Sequence, residues 1–109
     1  MRRRLDPRLA LIAGTAIALG AMPGAARADD MAARLCPILE TVAGDSAGGI
    51  PEAVQANLVI KVAGAYDYDP DALAAVLEGA DAATLDACPD ARAAVLAGTA
   101  KPSLAEAMR

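Results

Sequence analysis

Two cysteines stand in this chain of 109 residues, Cys36 and Cys88, 52 positions apart and each directly ahead of a proline. What such a pair does depends on the compartment, and residues 1–28 bear on that. Arg2, Arg3, Arg4 and Arg8 make a positive stretch. Leu9 to Met22 (LALIAGTAIALGAM) is uncharged and apolar, Pro23-Gly24 breaks it, and Ala26-Arg27-Ala28 fits the A-x-A pattern for cleavage before Asp29. This order reads as a bacterial export signal, which predicts the periplasm or the exterior. An uncleaved anchor would need ~20 apolar residues, more than the stretch supplies. Leu5-Asp6-Pro7 fits the twin-arginine route poorly, and Cys36 lies too far downstream to carry a lipid at the cleavage point. In an oxidising compartment the two cysteines are expected to form a disulfide. Free or intermolecular thiols are one alternative. A redox-active pair is the other, but that chemistry favours C-x-x-C spacing with one thiol at a helix N-terminus.

Cleavage after Ala28 would leave 81 residues, a length that buries only a modest core. The chain has no tryptophan and no phenylalanine, and its two aromatic residues are Tyr66 and Tyr68. The core must therefore come from aliphatic side chains and many alanines, which favour helices and let them approach closely. Residues 1–28 hold five of the ten basic residues (Arg2, Arg3, Arg4, Arg8, Arg27) but only one of the fourteen acids, Asp6. The chain from Asp29 thus has 5 basic and 13 acidic residues, a net charge of −8 against −4 for the whole. Such a chain repels nucleic acid and anionic membrane surfaces. A partner is expected to be another exported protein, with no nucleic acid, no membrane after signal cleavage and no cofactor; the oligomeric state is left open.

Apolar periodicity predicts an all-α fold, a single domain over 29–109 built as a small bundle of four to five helices. The longest helical pattern is Ile50–Tyr66, where Val54, Leu58 and Val62 repeat at i, i+4, i+8, widened by Val59 and Tyr66. Ile60 lies off that stripe, which predicts a central helix covered on several sides. A first helix is expected over Asp29–Ala43 on Met31, Leu35, Ile38 and Val42, ended by Gly44. Pro37 predicts a kink near Cys36 or a start only at Pro37. Asp69-Pro70 is a strong helix start, and that helix is expected to end at Gly79, with Asp81 capping one further short turn. Cys88-Pro89 opens the next helix, with Gly98 as its stop. Ser103 to Glu106 reads as a capping box for a last short helix.

The acidic run needs separate treatment. Asp67, Asp69, Asp71 and Glu78 occupy positions 1, 3, 5 and 12 of an EF-hand pattern, but Ala72 stands where the loop needs glycine and Pro70 stands at position 4. A helix beginning at Pro70 cannot wrap an ion, and a cap with an acidic first turn explains the same aspartates. No metal ligand set is assigned. Asp67, Tyr68, Asp69 and Asp71 are instead the candidate partner surface. Tyr66 is expected in the core with its hydroxyl at the surface. With no histidine, no phosphate loop and no base placed beside Ser46 or Ser103, no catalytic residues are assigned and no enzyme activity is expected.

No motif places the chain in a family. In general shape, an exported all-helical chain with a long-range Cys36–Cys88 pair, it resembles the small periplasmic acid-stress chaperones. The resemblance covers architecture alone, and the tryptophan expected near the first cysteine is missing. The first expectation is a non-catalytic exported interaction protein of the inhibitor or immunity type. The second is an acid-stress or holdase-type chaperone, and the third, weaker, is a ligand or metal carrier. Intact-mass measurement of the exported protein should give a chain beginning at Asp29; a mass that retains residues 1–28 would support the anchor.

Overall fold

The structure is a computed structural model and describes residues 23–45 and 48–109. Most of the predicted signal, residues 1–22, lies outside the described residues, as do Ser46 and Ala47 of the expected loop. Five helices follow in order: α1 Pro23–Asp45, α2 Pro51–Ala65, α3 Pro70–Ala87, α4 Pro89–Thr99 and the four-residue α5 Leu104–Ala107. Among the described residues there is no strand. None of these helices is long and apolar enough to cross a membrane. The fold is the all-α bundle that the periodicity predicts.

The central element is α1, not α2. It packs against α2, α3 and α4, whereas α2 packs only on α1 and α4 to any extent. Ala32, Leu35, Leu39 and Val42 are buried along one face of α1. On α2 the stripe Val54, Leu58, Val62 is buried as its spacing predicts, but Ile60 is 62% exposed. The second apolar side of α2 has no cover, so the expectation of a covered central helix there is corrected. From α3 come Val76, Ala80, Ala83 and Thr84, from α4 Val95 and Thr99, and from α5 Leu104 and Ala107. The two buried hydroxyls bond back to their own helices: Thr84 Oγ1 donates to Ala80 O at 2.7 Å and Thr99 Oγ1 to Leu96 O at 3.3 Å.

The first helix begins at Pro23 instead of Asp29 and takes in Gly44, and three further predictions change for packing reasons. The first helix is unbroken through Pro37 and does not begin there. The proline ring lies on the exposed face, while buried Leu35 and Leu39 and the bonded Cys36 hold the helix on either side of the lost hydrogen bond. Gly79 does not end α3, which runs on to Ala87. A Cβ at Gly79 would lie 3.2 Å from Met31 Cε, so this glycine leaves room for the Met31 side chain of α1. Gly98 likewise stays inside α4, where a Cβ would lie 3.2 Å from Val54 Cγ1. The left-handed residue that closes α4 is Ala100, with φ 59°.

Cys36 and Cys88 are bonded, with Cα atoms 5.9 Å apart. Cys88 is at once the last cap of α3 and the first of α4, so the bridge fixes the α3–α4 corner to the middle of α1. Closing a loop of that length stabilises by roughly 4 kcal/mol in the chain-entropy model, a large share of the ~5–15 kcal/mol of a typical domain. Replacing both cysteines by alanine should lower the melting temperature by well over ten degrees, at about 4–8 °C per kcal/mol for a domain of this size. Reductant should bring the unaltered protein down to the same value and leave the variant unchanged. A melting temperature indifferent to both would mean the helices hold without the bridge.

Candidate functional site

The site predicted from sequence lies where α2 turns into α3. Helix α2 ends in a Schellman arrangement: the Tyr68 N–H donates to Ala63 O at 2.9 Å and the Asp67 N–H to Gly64 O at 3.2 Å. Asp67 holds the left-handed position of that motif with φ 57°, where glycine is usual, and Tyr68 follows with φ 58°. Each left-handed L residue costs roughly 1–2 kcal/mol, although aspartate tolerates the region better than most. Asp69 then caps α3, its Oδ1 accepting from Asp71 N at 3.0 Å, with Pro70 at the first helical position as the sequence implies. Asp67, Tyr68, Asp69 and Asp71 are all exposed, Tyr68 to 68%. The structure therefore brings the four predicted residues together in one turn fixed by backbone bonds on both sides.

Around the turn the ion geometry is that of a helix start. Glu78, nine residues beyond Asp69 on a continuous α3, lies ~13 Å along the axis from it. Among the described residues no group of three or more His, Cys, Asp or Glu side chains is placed to hold a metal.

An apolar groove opens beside the turn, lined by Val59, Ala63, Leu73, Leu77 and Met108 with Val62 and Val76 at its floor; its volume is about 90 Å³. It exists because α2 and α3 are joined at the turn but pack mainly on other helices. Periodicity counts Val59 toward the stripe of its helix, and Leu73 and Leu77 fall at the same kind of spacing on α3, since periodicity marks apolar faces and not which of them find cover. A larger recess of about 380 Å³ lies on the other side of α3, against α1; alanines dominate it, with Asp29, Glu78 and Asp86 at its edge.

Two clusters of polar contacts tie helices of the bundle together. The Arg34 guanidinium donates to Ala65 O, at the C-terminus of α2, at 3.1 Å and lies 5.2 Å from the centre of the Tyr66 ring. The Tyr66 hydroxyl is enclosed and has no hydrogen-bond partner, which corrects the expectation that it reaches the surface. Burial raises its pKa, with the Arg34 charge acting the other way and Asp30 adding to the rise.

The second cluster places Met108. Asp81 does not cap a further turn of its own helix, as its position suggested. Its Oδ1 accepts from Leu104 N at 2.7 Å and from Arg92 Nη2 at 2.8 Å, and its Oδ2 accepts from Ala105 N at 3.2 Å. This carboxylate therefore caps α5 from across the bundle. Ser103 supports the same end, its Oγ accepting from Glu106 N at 3.1 Å as the capping box predicts. With α5 held, Leu104 and Ala107 are buried and Met108 forms a wall of the groove. Comparison with known protein families, curated proteins and solved structures finds no match for this chain.

Partial burial pushes the Asp81 carboxyl up, but the Leu104 N–H, the Arg92 side chain and the Ala105 N–H outweigh it, and the net shift is downward. A carboxylate lowered in the folded state stabilises above the ordinary carboxylate range, and that stability is lost as pH falls through the lowered value. Asp81→Asn should cost about 1–2 kcal/mol at pH 7, because it removes the charge that Arg92 pairs with and leaves one accepting oxygen where two are used. The difference from the unaltered protein should shrink toward zero in denaturant melts carried into acid. A difference that stays constant with pH would show that the charge of Asp81 is not what holds α5.

Proposed function

We propose that this chain is a non-catalytic exported protein, a protein-interaction module of the inhibitor or immunity type, which binds another exported protein through the α2–α3 turn. The observation that carries this reading is the turn itself. Three exposed aspartates and an exposed tyrosine are held in one fixed conformation that includes two left-handed L residues. Strain of this kind persists where surrounding bonds over-determine it, and recognition loops are places where it accumulates. A preset turn also loses little conformational freedom on binding. Its charge favours a partner that is basic where it meets the turn. Export is supported by the Cys36–Cys88 bridge, which persists in oxidising compartments.

The test uses charge removal without loss of structure. Asparagine caps helices as well as aspartate does and tolerates left-handed backbone, so Asp67→Asn, Asp69→Asn and Asp71→Asn together should leave the melting temperature nearly unchanged. The unaltered protein, tagged and recovered at neutral pH from its own exported fraction, should bring down one or a few defined proteins. The triple variant should lose them. An acid-stress holdase would behave otherwise: stoichiometric suppression of client aggregation at pH 2–3 with no defined partner at neutral pH would overturn the interaction reading in its favour.

A further inference from the structure

The geometry points to the apolar groove between α2 and α3 as the seat of one branched aliphatic side chain from a basic, helical segment of the partner protein. This rests on the interaction reading and adds to it the position and chemistry of the contact. The groove is open and lined by apolar side chains, Val59 and Ala63 on α2, Leu73 and Leu77 on α3 and Met108 after α5. Its volume, about 90 Å³, is below the roughly 150 Å³ of a cavity that accepts benzene. A space of that scale takes one side chain of leucine or isoleucine size. Val59, 37% exposed at the rim, presents further apolar area to whatever enters.

Charge names the occupant. Ala63 and Leu73, which line the groove, bond through their backbones to Tyr68 and Asp69, so the turn that carries Asp67, Asp69 and Asp71 joins the two walls beside the groove. A segment seated there meets apolar wall along its length and carboxylates at one end. An amphipathic helix with aliphatic residues on one face and lysine or arginine beside them satisfies both. A second copy of this chain does not: it would bring its own acidic turn and a net charge of −8 if residues 1–28 are removed.

Met31 and Met108, the two methionines among the described residues, make the proposal directly measurable. Met108 lines this groove, whereas Met31 touches Gly79, more than about 100° around α3 from Leu73 and Leu77. In the full chain with ¹³C-labelled methionine methyl groups, titration with a synthetic helical peptide of leucines on one face and lysines on the other should shift the Met108 methyl saturably. The Met31 methyl should stay in place. Replacing the peptide's leucines by alanine should weaken binding about tenfold or more, the expected loss for an unburied leucine. Ala63→Leu, which fills the groove, should weaken it similarly, and Val59→Asn at the rim provides a second variant if the first fails to fold.

Absence of a Met108 shift, a shift at Met31 instead, or equal binding of a peptide with glutamate in place of lysine would each overturn the proposal. If the triple asparagine variant loses the peptide while Ala63→Leu and Val59→Asn keep it, the groove is not the seat but the acidic turn still binds. If the groove variants lose it while the triple variant keeps it, the contact is apolar alone, and both the basic occupant and the acidic-turn reading fall.

Discussion

The packing of one face of α1 is the constraint on which the rest of this structure depends. Leu35, Leu39 and Val42 meet the buried stripes of α2, α3 and α4 without an aromatic ring at the centre of the core. Aliphatic chains bury less area each than aromatic ones, so close approach of the helices has to compensate. Small residues make the room: Ala32 on α1 and Ala80 on α3 are buried, and Gly79 on α3 and Gly98 on α4 accept the side chains of Met31 and Val54. The bond from Cys36 to Cys88 joins the same helix to the corner between α3 and α4, one residue from Leu35. Hydrophobic contact and covalent tie thus converge on the same turn of α1, and that turn carries a proline on its outer side.

This arrangement leaves the α2–α3 end of the bundle as it is. With α1 and α4 between them, α2 and α3 are joined in sequence yet open to solvent along their facing sides near the turn. The groove is the space so created, and Met108 lines it because Asp81 reaches across to cap α5. The acidic turn beside it is held by an independent set of bonds, the Schellman bonds to Ala63 and Gly64 on one side and the Asp69 cap on the other. The strain at Asp67 and Tyr68 is a local cost that the close of α2 and the start of α3 together impose.

The sequence discloses the parts of this structure that local physics decides. Caps and proline starts at Asp69-Pro70 and Ser103 were legible because side chain, first-turn charge and backbone need all act within four residues. The cysteine pair was legible because the export pattern makes a bridge the expected fate of two isolated thiols. What could not be read depends on contacts distant in the chain. Gly79 and Gly98 look like helix stops until Met31 and Val54 are placed against them. Asp81 looks like a local cap until Leu104 and Ala105 are brought to it from more than twenty residues away. Ile50–Tyr66 looked central because its pattern is longest, but length of pattern says nothing about how many neighbours a helix has. For the site, the turn residues were visible as an acidic run around an exposed-type tyrosine, while the groove beside them was hidden among residues that periodicity assigns to the core.

Native-state hydrogen exchange tests most directly whether α1, pinned at Cys36, is the element the fold depends on. Amides from Leu35 to Val42 should exchange only through global unfolding and be the slowest in the protein, with the outer face of α2 around Ile60 opening at lower free energy. If α2 proves slowest, or if α1 exchanges through local opening while α2 and α4 remain protected, the central place given to α1 is wrong.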